Sequence, residues 1–179
     1  MAVIGIFGGR FDPPHLGHVA LARAAVEHFE IDDLHVTVVA DAAHKPSAAR
    51  ASDRLAMASL AFGELDATVE LEEHRYTVDA LEAAGYDEPI FLIGGDELVD
   101  FPNWKCPERV LELARLGVAS RPGYAPATAS PRIEIFELEP HPVSSSAIRR
   151  RAREGEPLDG LVAPAVARYI NEHGLYRAD

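Results

Sequence analysis

An α/β fold with a mainly parallel sheet is predicted from the order of apolar patterns along the chain. Short β-branched runs alternate with longer segments of helical periodicity, which favours strands joined by crossover helices. The first run, "VIGIF" (3–7), is continuously apolar and ends in Gly8-Gly9, as a strand buried on both faces should. From 16 to 29, Val19, Ala22, Val26 and Phe29 recur at helical spacing. "LHVTVVA" (34–40) reads as a second strand, and a polar loop separates it from the helical "DRLAMASLAF". "ATVEL" (67–71) is a third strand. "TVDALEAAG" is a short helix with Thr77 as N-cap and Gly85 just past its end. "PIFLIGGDE" is a buried strand running into a glycine pair and an acid. In "CPERVLELARLG", Pro107 sits in the first turn of a helix that Gly117 terminates. "GVAS" and "RIEIFEL" are further strands; "SSSAIRRRAREG" and "APAVARYINEHG" are helices closed by glycines. With no internal repeat, and with "SRPGYAPATASPR" (120–132) reading as a surface loop, the expectation is a single doubly wound, Rossmann-like domain over 1–179.

Composition narrows the function classes. The chain is 47% hydrophobic and 26% charged, with one cysteine and a formal charge of −12. That balance is typical of a soluble globular protein, and no apolar run approaches the roughly 20 residues of a membrane span. "MAVIGIFGG" lacks a basic lead and loses its apolar character too early for a signal peptide. The lone Cys106 excludes an internal disulfide and fits a cytoplasmic location. The acidic balance argues against broad nucleic-acid binding, and no membrane partner is expected. Small molecules are the expected partners, and the sequence is compatible with a homo-oligomer. A polyanionic substrate would require the few cations to gather in one place.

In open α/β sheets, ligands bind beyond the carboxyl ends of the strands, where strand order reverses. Three unusual stretches fall at such ends: 8–18, 41–46 and 94–104. In the first, "GGRFDPPHLGH", glycines allow close backbone approach, and Pro13 and Pro14 stiffen the lead into a helix, Pro14 suiting its first turn. The helix N-terminus offers free N–H groups and partial positive charge, a ready phosphate site. His15 and His18, three apart, share one face of the first turn, and both can donate to phosphoryl oxygens. By itself this stretch is equally an ordinary strand-to-helix turn. A two-histidine zinc site lacks its further ligands. Neither GxxxxGK[ST] nor GxGxxG is present.

"GGRFDPPHLGH" closely resembles the GG-T/S-F-D/N-P-x-H-x-G-H signature of the nucleotidyltransferase superfamily that carries the HxGH motif. "VSSSAIR" (143–149) is similar to its second signature, I-S-S-T/S-x-I-R. "RYTVDAL" (75–81) resembles the YTxDTL stretch of bacterial nicotinate-mononucleotide adenylyltransferases. "FLIGGDELVDFPNWKCPERVL" and "VAPAVARYINEHGLY" are similar to that family's central block and ending, so the resemblance covers essentially the whole chain.

The resemblance implies that a mononucleotide phosphate attacks the α-phosphorus of ATP, giving a dinucleotide and pyrophosphate. Such transfer rests on alignment and charge stabilisation and needs no covalent intermediate. It casts His15 and His18 as holders of the triphosphate, and Lys45 as a mobile charge near the reacting centre. Arg149 would clamp the leaving pyrophosphate; Arg150, Arg151 and Arg153 read as a solvated helix face. Ser144, Ser145 and Ser146 offer a second anion site at a helix start. Gly8, Gly9, Arg10 and Phe11 fall to the nucleotide side, with Gly94 and Asp96. Asp96 either accepts from ribose hydroxyls or caps a helix, and both roles are compatible. Trp104 would stack on the pyridine ring, with Tyr76 and Thr77 shaping that pocket. Mg²⁺ is implied as the counter-ion of ATP, held chiefly by phosphates and water.

Two positions depart from the family pattern. Arg10 stands where Thr or Ser is usual, and either pairs with the mononucleotide phosphate or points outward. "ADAAHKP" lacks the Pro-rich lead usual before the basic residue. The rivals are a nicotinamide-mononucleotide or phosphopantetheine adenylyltransferase, and a sensor that binds ATP without transferring it.

Overall fold

The computed structural model describes residues 2–40, 46–123 and 130–177. Six strands form one sheet in the order β3-β2-β1-β4-β5-β6: β1 (Ile4–Gly9), β2 (Asp33–Val39), β3 (Thr68–Glu72), β4 (Ile90–Gly94), β5 (Arg115–Ser120) and β6 (Ile133–Glu137). Every neighbouring pair is parallel. Strand order reverses between β1 and β4, so the crevice above their carboxyl ends is where such a sheet takes a ligand.

Alternate side chains on the central strands β1, β4 and β5 enter different cores, which is why these strands read as continuous apolar runs. Phe7, Val36, Val38 and Leu92 pack under α1 (Leu16–Phe29), α2 (Ala51–Phe62), α6 (Ser145–Glu154) and α7 (Pro164–Glu172). Ile6, Phe91, Ile93 and Val118 face the other way, under α3 (Thr77–Ala84) and α5 (Pro107–Leu113). A one-and-a-half-turn helix, α4 (Gly95–Asp100), follows β4 directly. Among the described residues, no helix is long and apolar enough to cross a membrane.

Four local expectations are corrected. Thr77 is the first residue of α3 rather than its cap, and Tyr76 occupies the N-cap position. Pro14 precedes the helix it was expected to open, because His15 takes the N-cap of α1. Gly117 does not end α5, which is capped at Ala114. It lies inside β5, where a Cβ would come 2.7 Å from Cε2 of Phe29 and 2.9 Å from Cδ2 of Leu92. The glycine is there to let α1 approach the sheet. Asp96 does not cap α4, since Gly94 holds that position.

Candidate active site

Two cavities open side by side at the carboxyl ends of the strands. The larger, about 1000 Å³, runs over β1, β4 and β5 and takes in His15, His18, Asp96 and Ser145. The smaller, about 330 Å³, lies towards β2 and β3 and is walled by Thr37, Glu72, Tyr76, Thr77 and Trp104. Gly8, Gly9, Arg10 and Glu97 line both.

The histidine pair begins α1 in an unusual way. The backbone N–H of His18 donates to Nδ1 of His15 at 3.3 Å, and the N–H of His15 donates to Nδ1 of His18 at 3.1 Å. The two rings thus do what Ser and Glu do in an ordinary capping box, each satisfying a donor the helix cannot. Their centroids lie 3.6 Å apart with 22° between planes. Gly17 makes the stacking feasible, because a Cβ there would sit 3.0 Å from the His15 ring. Burial, then the neighbouring His141, lowers the His15 pKa to about 4; burial, then His15, lowers that of His18 to about 3. Both rings are therefore neutral near pH 7. Since each Nδ1 accepts, each proton resides on Nε2, and the two Nε2–H groups are the donors available to a ligand.

Phe11 and Asp12 hold the loop that leads to this pair. Phe11 adopts φ 49°, and its buried ring meets Phe7, His18 and Phe62 edge-on at centroid distances of 5.2–5.4 Å. Aromatic packing on three sides offsets the cost of a left-handed backbone. The buried Asp12 carboxylate accepts from the backbone N–H groups of Ala48 (2.6 Å) and Ala49 (3.1 Å) and from the Tyr176 hydroxyl (2.8 Å).

On the other side, Trp104 packs edge-on against Phe101 at 5.3 Å and Phe91 at 6.2 Å. Lys105 pairs with Asp79 and sets its Nζ 5.0 Å from the centre of the Tyr76 ring, joining the Trp104 loop to the start of α3. Glu97 accepts the Gly94 N–H at 2.9 Å. Desolvation at the cavity junction raises its pKa above the ordinary carboxyl value, against the Gly94 bond, which lowers it, with Asp96 adding to the rise.

A family profile described as cytidylyltransferase-like matches residues 6–151. A Bordetella avium protein named "probable nicotinate-nucleotide adenylyltransferase" is 37% identical over 99% of both chains. The chain belongs to the nicotinate-nucleotide adenylyltransferase family. A Thermus thermophilus relative of the same name is 40% identical, covering 97% of this chain and 99% of its own. A Plasmodium falciparum nicotinic acid mononucleotide adenylyltransferase, solved with NaAD, superposes with a TM-score of 0.83 over 98% of each chain at 17% identity. At that identity the likeness concerns the fold.

In this adenylyltransferase-family chain, most of the residues expected from sequence converge. Gly8, Gly9, Arg10 and Phe11 line the larger cavity with the two histidines, as do Gly94, Asp96 and Ser145. Tyr76, Thr77 and Trp104 line the smaller one. Three do not reach either cavity wall. Ser144 caps α6 by accepting the Ala147 N–H at 3.2 Å, and Ser146 lies 3.3 Å from the Ser144 hydroxyl. Arg149 directs Nη1 to the Asp12 carbonyl at 2.7 Å, bracing the loop from behind. Ser145, though at the cavity, commits its hydroxyl to the Pro13 carbonyl at 2.9 Å. Lys45 lies outside the described residues.

Sequence reasoning missed Asp12, Tyr176 and, above all, Arg54. Arg54 is 1% exposed. Its guanidinium donates to the carbonyls of Arg10 (2.8 Å), Val39 (2.7 Å), Ala40 (2.8 Å) and Ala49 (3.2 Å), tying the end of β2 to the loop after β1. A signal for it existed. Arg54, Met57, Ala58, Ala61 and Phe62 are the buried residues of α2, a core-facing repeat with a cation as its first member. Tyr176 gave none, because only the fold brings it beside Asp12.

Proposed function

We propose that the protein transfers the adenylyl group of ATP to nicotinate mononucleotide, releasing pyrophosphate and forming nicotinate adenine dinucleotide. The observation that carries this reading is the pair of unequal cavities meeting beside the His15–His18 donors. ATP takes the larger, and the mononucleotide takes the smaller, with its pyridine ring against Trp104. The names of the full-length relatives point the same way.

A phosphate oxygen of the mononucleotide forms a bond to the α-phosphorus while the bond from that phosphorus to the β-phosphate's bridging oxygen breaks. The electron pair leaves with pyrophosphate, so no side-chain nucleophile or base is required. The Nε2–H groups of His15 and His18 stabilise charge growing on the phosphoryl oxygens. Because the capping box fixes their tautomer in advance, little reorganisation accompanies the reaction. Arg149, held on the Asp12 carbonyl through Nη1, keeps the loop in register; to clamp pyrophosphate it would use its remaining guanidinium N–H donors. Lys45 is assigned to the phosphates by resemblance alone.

Mg²⁺ fits as a counter-ion carried in on the triphosphate. As the resemblance implies, its ligands would be the nucleotide's phosphates and water. It supplies charge neutralisation of the triphosphate. The choice of nicotinate over nicotinamide rests on the start of α3. The Trp104 N–H is already given to the Phe101 carbonyl at 3.0 Å. Thr77, at the first helical position and on the cavity wall, presents the positive end of α3, which favours a carboxylate over an amide.

The test is pyrophosphate release from Mg-ATP with nicotinate mononucleotide, nicotinamide mononucleotide and phosphopantetheine in parallel. Turnover is expected with the first and weaker turnover with the second. ATP binding with no release under any acceptor would make the protein a sensor and end the proposal.

A further inference from the structure

Transfer between nucleotides in adjoining cavities has to occur where the cavities meet, because the attacking oxygen and the leaving group must approach one phosphorus. Four residues line both: Gly8, Gly9, Arg10 and Glu97. The glycines contribute backbone only. Glu97 is an acid, and its Oε2 is engaged by the Gly94 N–H. Of the four, Arg10 alone brings positive charge to the junction. We infer that Arg10 binds the 5′-phosphate of the attacking mononucleotide and so selects a phosphorylated acceptor.

The direction of the side chain decides which phosphate it serves. Nη1 of Arg10 donates to the Pro46 carbonyl at 2.9 Å. Pro46 follows β2, and β2 and β3 wall the smaller cavity through Thr37, Val39 and Glu72. The larger cavity extends the opposite way, to Ala119 and Ser120 of β5. Sheet order puts β2 and β5 on opposite flanks of the β1–β4 crevice, so the guanidinium leans towards the smaller cavity. Each cavity has further donors, His15 and His18 in the larger and His74 and Arg75 in the smaller, so it is the position at the junction that singles out Arg10.

Arg10 is also built for the task. Its backbone carbonyl accepts from the buried Arg54 at 2.8 Å, which fixes the base of the side chain. The bond to Pro46 uses one of five guanidinium N–H donors, and the planar fork suits two oxygens of one phosphate. A side chain anchored at both ends loses less freedom on binding than a loose one.

The inference rests on the smaller cavity being the mononucleotide's. Its test is steady-state kinetics of the full chain, wild type against Arg10→Gln and Arg10→Lys, with each substrate varied in turn. Inhibition by nicotinate riboside, which lacks the phosphate, is measured alongside. Loss of a charge-assisted phosphate contact predicts a roughly 10- to 100-fold higher KM for nicotinate mononucleotide in Arg10→Gln. The KM for ATP and the riboside affinity should stay within about threefold, and Arg10→Lys should recover part of the loss. An unchanged mononucleotide KM overturns the inference, as does an equal loss for nucleotide and riboside. So does a loss confined to ATP, which would mean that Arg10 only anchors the loop at Pro46. A wild type that turns over no pyridine mononucleotide overturns the functional reading itself, and is seen before any variant is made.

Discussion

His15 and His18 resolve a conflict that stacked imidazoles face beside phosphates. Two imidazolium ions 3.6 Å apart would repel, yet phosphoryl oxygens need donors. Mutual capping through Nδ1 keeps both rings neutral and still leaves each an Nε2–H. His18→Ala removes one donor and the acceptor for the His15 N–H together. The expected result is a kcat lower by about 10²-fold or more, with a melting temperature lowered by the loss of about 1 kcal/mol of helix capping together with the ring's packing against Phe7 and Phe11. Stopped or discontinuous pyrophosphate assays with a thermal melt check both; a kcat within threefold of wild type sinks the assigned role. Spacing in the sequence was enough to put both imidazoles on one helical turn. It could not show that they cap the helix, because Pro14 looked like the better first-turn residue. Arg10 was legible as an anomaly, but its direction depends on Pro46, thirty-six residues away.

At the level of elements, strands and helices were readable because burial on both faces of a parallel sheet leaves continuous apolar runs between amphipathic helices. The misreadings fell where a residue's local meaning and its packing meaning differ. Gly117 follows a helical stretch like a terminator, yet it is the contact point at which Phe29 of α1 crosses β5. Arg54, passed over in the sequence, holds four carbonyls. Gly117→Ala puts a methyl group inside contact distance of Phe29 and Leu92, and should destabilise by about 1–3 kcal/mol. For a chain of this size that corresponds to a fall of roughly 2–4 °C in Tm per kcal/mol. Adding Phe29→Leu should return part of the loss, since the two changes share one space. Thermal melts of the single and double variants read this directly. Strictly additive effects would show that the crossing does not set the glycine.

For the whole molecule, a formal charge of −12 surrounds a site that gathers Arg10, Arg121 and three histidines around one opening. Neutral histidines let such a chain hold an anion site without burying charge, and this has a thermodynamic consequence. In the unfolded chain His15 and His18 titrate near 6.5; in the folded chain they do so at about 4 and about 3. Above about pH 6.5 both states carry neutral rings, and the pair adds no pH dependence. Below it the unfolded chain takes up protons that the folded chain refuses. Stability must therefore fall as pH drops from about 6.5 towards about 4, by at most about 1.4 kcal/mol per pH unit for each histidine. It levels off only once the folded rings protonate too. Urea unfolding at pH 7.5, 6 and 5, for wild type and for His15→Gln/His18→Gln, isolates the pair. The wild type should lose more stability between pH 6 and pH 5 than the variant does, while the two curves run parallel above pH 6.5. Parallel curves throughout would mean that the rings titrate normally when folded, and the neutral capping box would then be the wrong description of the site.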